Sequence, residues 1–351
     1  MTTATGEQPV VRPSDDLEPR RLIEMLGMMM LIRRFEERCA QSYQQGRIGG
    51  FCHLYTGQEA SAVGTVSALR GDDPIITGYR DHGHALARGM DPRHAMAEMF
   101  GKVTGCSRGK GGSMHLFDKP HHMYGGHAIV AGQCPLGAGL AFAIRYLKRD
   151  NACLCVFGDG ALNQGALHES MNLSAIWQLP IIWACENNRY SMGTSIDRGT
   201  SASDDLSLKA AAYGMQYAEC NGMDVLETYD CVKPLADGIR RNHAPVFVNV
   251  KTYRYKGHSM SDPQKYRDRE EIVEMQELDP IAALCEALID RDVATQREID
   301  DLNAQAKQSA LEAVRFAVAS PDTPLEELYT DVYAEGYGPY ENREPREEAD
   351  E

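Results

Sequence analysis

Two short apolar runs, Cys153 to Phe157 and Leu179 to Cys185, stand on either side of a stretch with helical spacing, Asn163 to Gln178. Runs this short and this apolar suit strands buried on both faces, and neither could cross a bilayer. Strand, helix and strand in that order make a βαβ unit. Such a unit holds its strands parallel and brings both carboxyl ends to one edge of the sheet. The alternation continues with a helix near Leu206 to Tyr213, a strand near Gln216 to Glu219, a helix near Cys231 to Asn242 and a strand from Val246 to Thr252. Before the first run, Leu136 to Leu147 reads as a helix with small residues on one side (Gly137, Ala138, Gly139, Ala141, Ala143). An α/β fold follows, a parallel sheet flanked by helices.

Each strand of that central unit ends in a polar cluster: Gly158-Asp159-Gly160 after the first, Glu186-Asn187-Asn188-Arg189-Tyr190 after the second. A Gly-Asp-Gly alone fits any tight turn. Here both clusters leave the same edge of one sheet, so the Asp159 carboxylate and the Asn188 amide can converge on one point. Magnesium takes oxygen ligands in near-octahedral geometry, commonly one or two carboxylates with phosphates and water. Asp159, Asn188 and the carbonyl of Tyr190 are the candidate metal ligands. Gly160 and Ala161 are expected to open the next helix, whose free N–H groups suit a phosphate.

Outside this unit the chain divides into residues 1–20, a loose polar arm; 21–335, one domain; and 336–351, an acidic tail. Within the domain, Pro19 to Gln45 has helical spacing (Leu22, Met25, Leu26, Met29, Met30, Ile32). Gly46 to Gly126 reads as long Gly- and His-rich loops broken by short helices, the kind of ordered loop that usually carries function. Tyr253 to Arg269 is a further polar loop, and 280–318 is helical.

The formal net charge of −15 argues against a nucleic-acid partner, which needs clustered Lys and Arg. No apolar run predicts a membrane span. Ten cysteines without a C-x-x-C read as buried free thiols of a reducing compartment. Cys153 and Cys155, on one strand, are read as facing opposite ways. Residues 1–20 have neither a hydrophobic signal core nor an Arg-rich transit composition, so a cytoplasmic, bacterial location is expected. Gly105 to Lys110 is one residue short of a phosphate-binding P-loop and lacks the Ser or Thr that should follow the lysine. His82/His84 and His121/His122 lack Cys or carboxylate partners at ligand spacing, and read as structural or exposed histidines.

The spaced Gly-Asp-Gly and paired asparagines resemble the thiamine-diphosphate signature. Further segments resemble the alpha subunits of the 2-oxoacid dehydrogenases, the pyruvate enzymes above all. They are Gly50-Phe51-Cys52-His53-Leu54, Gly57-Gln58-Glu59-Ala60, Tyr79-Arg80-Asp81-His82-Gly83, 109–115 and 253–263, and the match runs in order over roughly residues 20–335.

The resemblance implies a thiamine-diphosphate-binding fold, with thiamine diphosphate and Mg²⁺ as cofactors. It places Asp159, Asn188 and the Tyr190 carbonyl on the metal, and backbone groups of Gly160 and Ala161 on the diphosphate. Arg80 and His258 fall where the terminal phosphate is held, with Tyr79 beside them. Ala128 and Val130 fall on the loop that grips the aminopyrimidine ring, and Asp118 on a further cofactor contact. His53 lies near the reactive carbon, where an imidazole can orient the oxoacid or move protons. The carboxylate needed at the pyrimidine comes from a beta subunit in this family, so an α₂β₂ heterotetramer and a lipoyl domain of the acyltransferase component are the implied partners. Neither Glu59 nor Glu169 fits that carboxylate's role. Ser259 corresponds to a serine that is phosphorylated in eukaryotic relatives. Acetoin or branched-chain 2-oxoacid enzymes remain alternatives for the substrate, and a non-catalytic assembly or regulatory subunit is the alternative of another class.

Overall fold

A computed structural model describes residues 12–332. The acidic tail and the first part of the N-terminal arm lie outside the described residues. The elements run α1 (Pro19–Gln44), α2 (Glu59–Ser67), β1 (Ile75–Gly78), α3 (His82–Arg88), α4 (Pro92–Met99), β2 (Met123–His127), α5 (Gln133–Tyr146) and β3 (Cys153–Gly158). They continue α6 (Gly165–Ile176), β4 (Ile181–Asn187), β5 (Tyr190–Ser191), β6 (Thr194–Ser195), α7 (Ile196–Gly199), α8 (Ser207–Ala211) and β7 (Gln216–Asn221). Last come α9 (Val225–Asn242), β8 (Val246–Lys251), α10 (Arg269–Glu277), α11 (Pro280–Asp290) and α12 (Gln296–Ala319).

The expected parallel sheet is present, with six strands in the order β2-β1-β3-β4-β8-β7. Its central strands are apolar on both faces, as a sheet sandwiched between helical layers requires. Leu154, Val156, Ile182, Ala184 and Val248 face a core built with α1, α2, α4, α9 and α12. Cys153, Cys155, Phe157, Trp183 and Cys185 face the other way, onto α5 and α6. Cys153 and Cys155 therefore share a face, against expectation: successive residues of a strand alternate, so every second one points the same way. All ten cysteines are free, most of them buried.

Several boundaries differ from the sequence reading. β1 and β2 arise inside the stretch expected to be loops, because the flanking strand β2 carries Gly125 and Gly126 and so lacks the usual β-forming composition. Helix α9 starts ahead of Cys231, since the Asp224 carboxylate accepts from the N–H groups of Leu226 (2.8 Å) and Glu227 (3.0 Å) and caps it. The described part of the arm is docked, with Ser14 donating from its backbone N–H (2.6 Å) and its hydroxyl (2.7 Å) to Asp230.

The loop that resembled a P-loop is organised by the protein's own anion. Glu98, fully buried at the end of α4, accepts from the N–H groups of Ser107 (2.7 Å), Gly109 (2.8 Å), Gly111 (2.7 Å) and Gly112 (3.2 Å). A ring of backbone donors that could hold a phosphate is already occupied by a carboxylate. Glu98→Ala would strand those donors, so it should cost about 3 kcal/mol and open 105–112 to proteolysis. Chemical denaturation with limited proteolysis measures both, and an unchanged midpoint with an intact loop would contradict this role.

Candidate active site

The register of β3 against β4 sets Gly158 opposite Glu186. Asp159 and Asn188 therefore leave the sheet at one edge, one and two residues later. Both are buried, Asp159 at 2% and Asn188 at 7% exposure. Asp159 accepts one side-chain bond, from the Ser191 hydroxyl at 3.1 Å. Burial holds its carboxyl above the ordinary range, against the Ser191 bond and the field of Arg254. A carboxylate this buried with so few donors is a group that a cation would relieve. The Asn188 amide nitrogen donates to the Gln58 side-chain oxygen (3.1 Å), and its own oxygen accepts from the Tyr190 N–H (3.3 Å).

Gly160 sits where a Cβ would come within 2.5 Å of Ser191 Oγ, so a side chain there would displace the hydroxyl that Asp159 uses. Residues Asp159–Asn163 form a 3-10 turn, and α6 begins only at Gly165, after an extended Gln164. The expectation that Gly160 and Ala161 open an α-helix is thus corrected. The turn still points the chain away from the sheet edge and leaves both residues on the cavity wall.

Two arginines lie across from the carboxylate. Arg254, 1% exposed, spends its donors on the carbonyls of Lys256 (3.0 Å) and Tyr190 (3.4 Å) and on the Tyr266 hydroxyl (3.0 Å). Arg80 donates to the carbonyls of Leu54 (2.5 Å) and His258 (2.8 Å). Burial and the charge of Arg254 push the Arg80 guanidinium down to about 10. Neither arginine has a carboxylate partner among the described residues. Two desolvated cations, one of them depressed by the other, call for an anion.

Beside them stand His53, Tyr79 and His258, with ring centroids 4.7 Å (His53–Tyr79), 5.1 Å (His53–His258) and 5.7 Å (Tyr79–His258) apart. Burial, reinforced by Arg80, lowers His53 to about 2 and His258 to about 4, so both imidazoles are neutral at neutral pH. The backbone under His53 is fixed through Ser113, whose hydroxyl accepts the His53 N–H (3.1 Å) and lies 2.9 Å from His82 Nε2. His82 Nδ1 in turn meets Glu36 at 2.8 Å. Burial works against a charge on His82, but Glu36 outweighs it and raises the group. His82 and His84 thus do have carboxylate partners, Glu36 and Glu186, brought in from distant elements and invisible to sequence spacing.

These groups surround one cavity of about 940 Å³. His53, Tyr79, Arg80 and His258 form one part of its wall, and Asp159, Gly160, Ala161, Asn188 and Tyr190 another. Ala128 and Val130 line it as well, next to the exposed Ile129. Asp118 is not among the residues that line it; in the turn before β2 its carboxylate meets His121 Nδ1 at 2.8 Å. Ser259 is buried at the rim, its hydroxyl 3.0 Å from that of Ser261. Arg254, Glu186 and Gln58 reach the wall although sequence reasoning gave them no role. Each lay inside a motif, but a motif does not tell which of its residues turn inward.

The donor set suits a hard divalent cation beside a polyphosphate: a buried carboxylate, an amide oxygen, the Tyr190 carbonyl and two arginines without a carboxylate partner.

The histidines also set a pH dependence. Unfolded imidazoles titrate near 6.5 and these two well below it, so the unfolded chain binds more protons under pH 6.5. Their contribution to stability is full above that pH and is lost as the pH falls toward 4. Replacing His258 by Gln should flatten the stability curve by up to one proton between about pH 6.5 and 4. Denaturant titrations across that range measure it, and a slope equal to the parent's would contradict the assignment.

The profile of the family described as "Dehydrogenase E1 component" matches residues 27–326. A Rickettsia bellii protein named pyruvate dehydrogenase E1 component subunit alpha is 47% identical over 305 residues, covering 87% of this chain and 93% of its own. Proteins of the same name from Rhizobium meliloti (48% identity over 305 residues, 87% of each chain) and Zymomonas mobilis (46% over 336 residues, 93% of this chain and 94% of its own) are also similar. With a profile match over most of its length and relatives this close, the chain belongs to the dehydrogenase E1 component family.

Proposed function

We propose that this chain is the alpha subunit of a pyruvate dehydrogenase. With a beta subunit it would decarboxylate pyruvate on thiamine diphosphate and pass the acetyl group to a lipoyl domain of an acyltransferase. The observation that carries this reading is the convergence of Asp159, Asn188 and two uncompensated arginines on one cavity. The names of the relatives support pyruvate as the substrate.

Thiamine diphosphate, when bound, supplies the electron sink for loss of CO₂. The chain's own residues do the rest of its half of the work. Asp159, Asn188 and the Tyr190 carbonyl would hold Mg²⁺. Arg80, Arg254 and His258, with the turn at Gly160 and Ala161, would hold the diphosphate. Ala128 and Val130 would lie against the aminopyrimidine. His53 stays neutral, so its ring N–H can donate a hydrogen bond to the oxoacid without adding charge to a crowded positive floor.

The same wall supports the need for a partner. Its carboxylates among the described residues are Asp159, Glu186 and Asp262. Glu186 accepts from Ser61 (2.5 Å) and Tyr55, and Asp262 from the His258 N–H (2.6 Å) and Tyr266 (2.6 Å). None is left for the pyrimidine ring, so a carboxylate from a beta subunit would complete the site, in an α₂β₂ assembly. Exposed apolar side chains on α5 and at the end of α6 (Phe142, Tyr146, Ile176, Trp177) form a patch of the kind that subunit contacts cover. No described helix is long and apolar enough to cross a membrane.

The test is decarboxylation with an artificial electron acceptor, by the lone chain and by the chain co-purified with its partner, on pyruvate, 2-oxoisovalerate and acetoin. Activity on pyruvate should need the partner and fall more than ~100-fold in Asp159→Ala. Full activity from the lone chain would refute the shared site. A preference for acetoin or the branched acid would reassign the substrate, and cofactor binding without any turnover would favour a regulatory subunit.

A further inference from the structure

We propose that Glu186 is a positioning residue for the metal site: acting through the Gln58 side-chain amide, it sets which way the Asn188 amide faces. This inference rests on the reading of Asp159 and Asn188 as metal ligands.

Glu186 is 6% exposed and its carboxylate is held from several sides. The hydroxyls of Tyr55 and Ser61 donate to Oε1, and His84 Nε2 lies 3.4 Å from the same oxygen. Its other oxygen faces Gln58 Nε2 at 3.5 Å, a long contact but one of unambiguous sign. A carboxylate only accepts, so Gln58 must turn its NH₂ toward Glu186 and its oxygen away. That oxygen meets the Asn188 NH₂ at 3.1 Å. Asn188 must therefore keep its own oxygen on the far side, where a ligand oxygen is needed. An amide turned by 180° would offer a cation two hydrogens.

Gln58 has little freedom to escape this order. Its neighbour Gly57 has φ +100° and lies so close to the next loop that a Cβ would come within 2.5 Å of the Tyr253 carbonyl. The Gly57 N–H donates to Glu59 (3.0 Å and 3.2 Å), and Glu59 is clamped by Arg33 at 2.6 Å and 3.0 Å. An acceptor, a donor–acceptor and a second donor–acceptor thus stand in line; the acceptor at the inner end sets the polarity of Gln58, and with the Tyr190 N–H at the outer end (3.3 Å) that of Asn188.

Charge placement tests this more sharply than truncation does. Glu186→Gln keeps the shape. Tyr55 and Ser61 should hold the new amide oxygen, leaving its NH₂ against that of Gln58, so Gln58 reverses and sets its NH₂ against that of Asn188, in opposition to the bond from the Tyr190 N–H. Mg²⁺ affinity should drop about 10–100-fold. Adding Gln58→Glu to that variant restores an acceptor at both ends and should recover most of the loss. Ser61→Ala, which touches Glu186 outside the relay, should lower the melting temperature while leaving Mg²⁺ affinity near the parent value.

The measurement is calorimetric titration of Mg²⁺ into the full chain co-purified with its partner, at saturating thiamine diphosphate. Melting temperatures are taken in parallel. Parent-like affinity in Glu186→Gln, or no recovery in the double variant, would overturn the relay. With Asp159→Ala as control, loss there but not in Glu186→Gln removes the relay alone. A parent that binds no Mg²⁺ removes the metal site and the relay together.

Discussion

The parallel pairing of β3 with β4 is the contact on which the site depends. Six consecutive pairs, from Cys153 with Ile181 to Gly158 with Glu186, lock the two strands in register. That register decides where two polar side chains emerge, because a slip by one residue would turn the apolar set of either strand to the wrong layer. Both faces are filled with large apolar groups, Trp183 and Phe157 on one and Leu154 and Ile182 on the other. The apolar core therefore positions Asp159 and Asn188 through the strands that carry them.

Around that edge the loops are held by buried ions rather than by regular structure. Glu98 fills the backbone ring at 107–112, Arg33 clamps Glu59, and Glu36 with His82 and Ser113 fixes the segment at His53. Each anchor is a charged group whose partners come from another part of the chain. Buried charges of this kind cost desolvation and are retained where they specify one conformation. Here they specify the loops that carry His53, Gln58, Arg80 and Met114 to the cavity. The arginines are the exception. Arg80 and Arg254 are satisfied only by carbonyls and a tyrosine hydroxyl, which keeps their charge available to a ligand.

How much of this could be read beforehand depends on range. The central βαβ unit was legible, because its strands are continuous apolar runs and the helix between them has its own period. That Asp159 and Asn188 leave the sheet at one edge followed from the rule that parallel strands end together. The strands β1 and β2 were not legible: one is four residues long, the other contains two glycines, and both owe their conformation to neighbours in the sheet. The 3-10 turn after Asp159 was missed because nothing in Gly-Ala-Leu-Asn separates a tight turn from a first helical turn. Asp118 was placed by motif position, but its carboxylate closes a local turn with His121. Glu186, Gln58 and Arg254 needed the fold, since their roles exist only between elements far apart in the chain.

On the function proposed here, one cation held by the ends of β3 and β4 would carry the diphosphate. Manganese in place of magnesium makes that contact visible. Electron–nuclear double resonance on the assembled protein with Mn²⁺ and thiamine diphosphate should show phosphorus hyperfine coupling, and the coupling should vanish in Asp159→Ala. A fully hydrated manganese, or a phosphorus coupling indifferent to Asp159, would contradict the account.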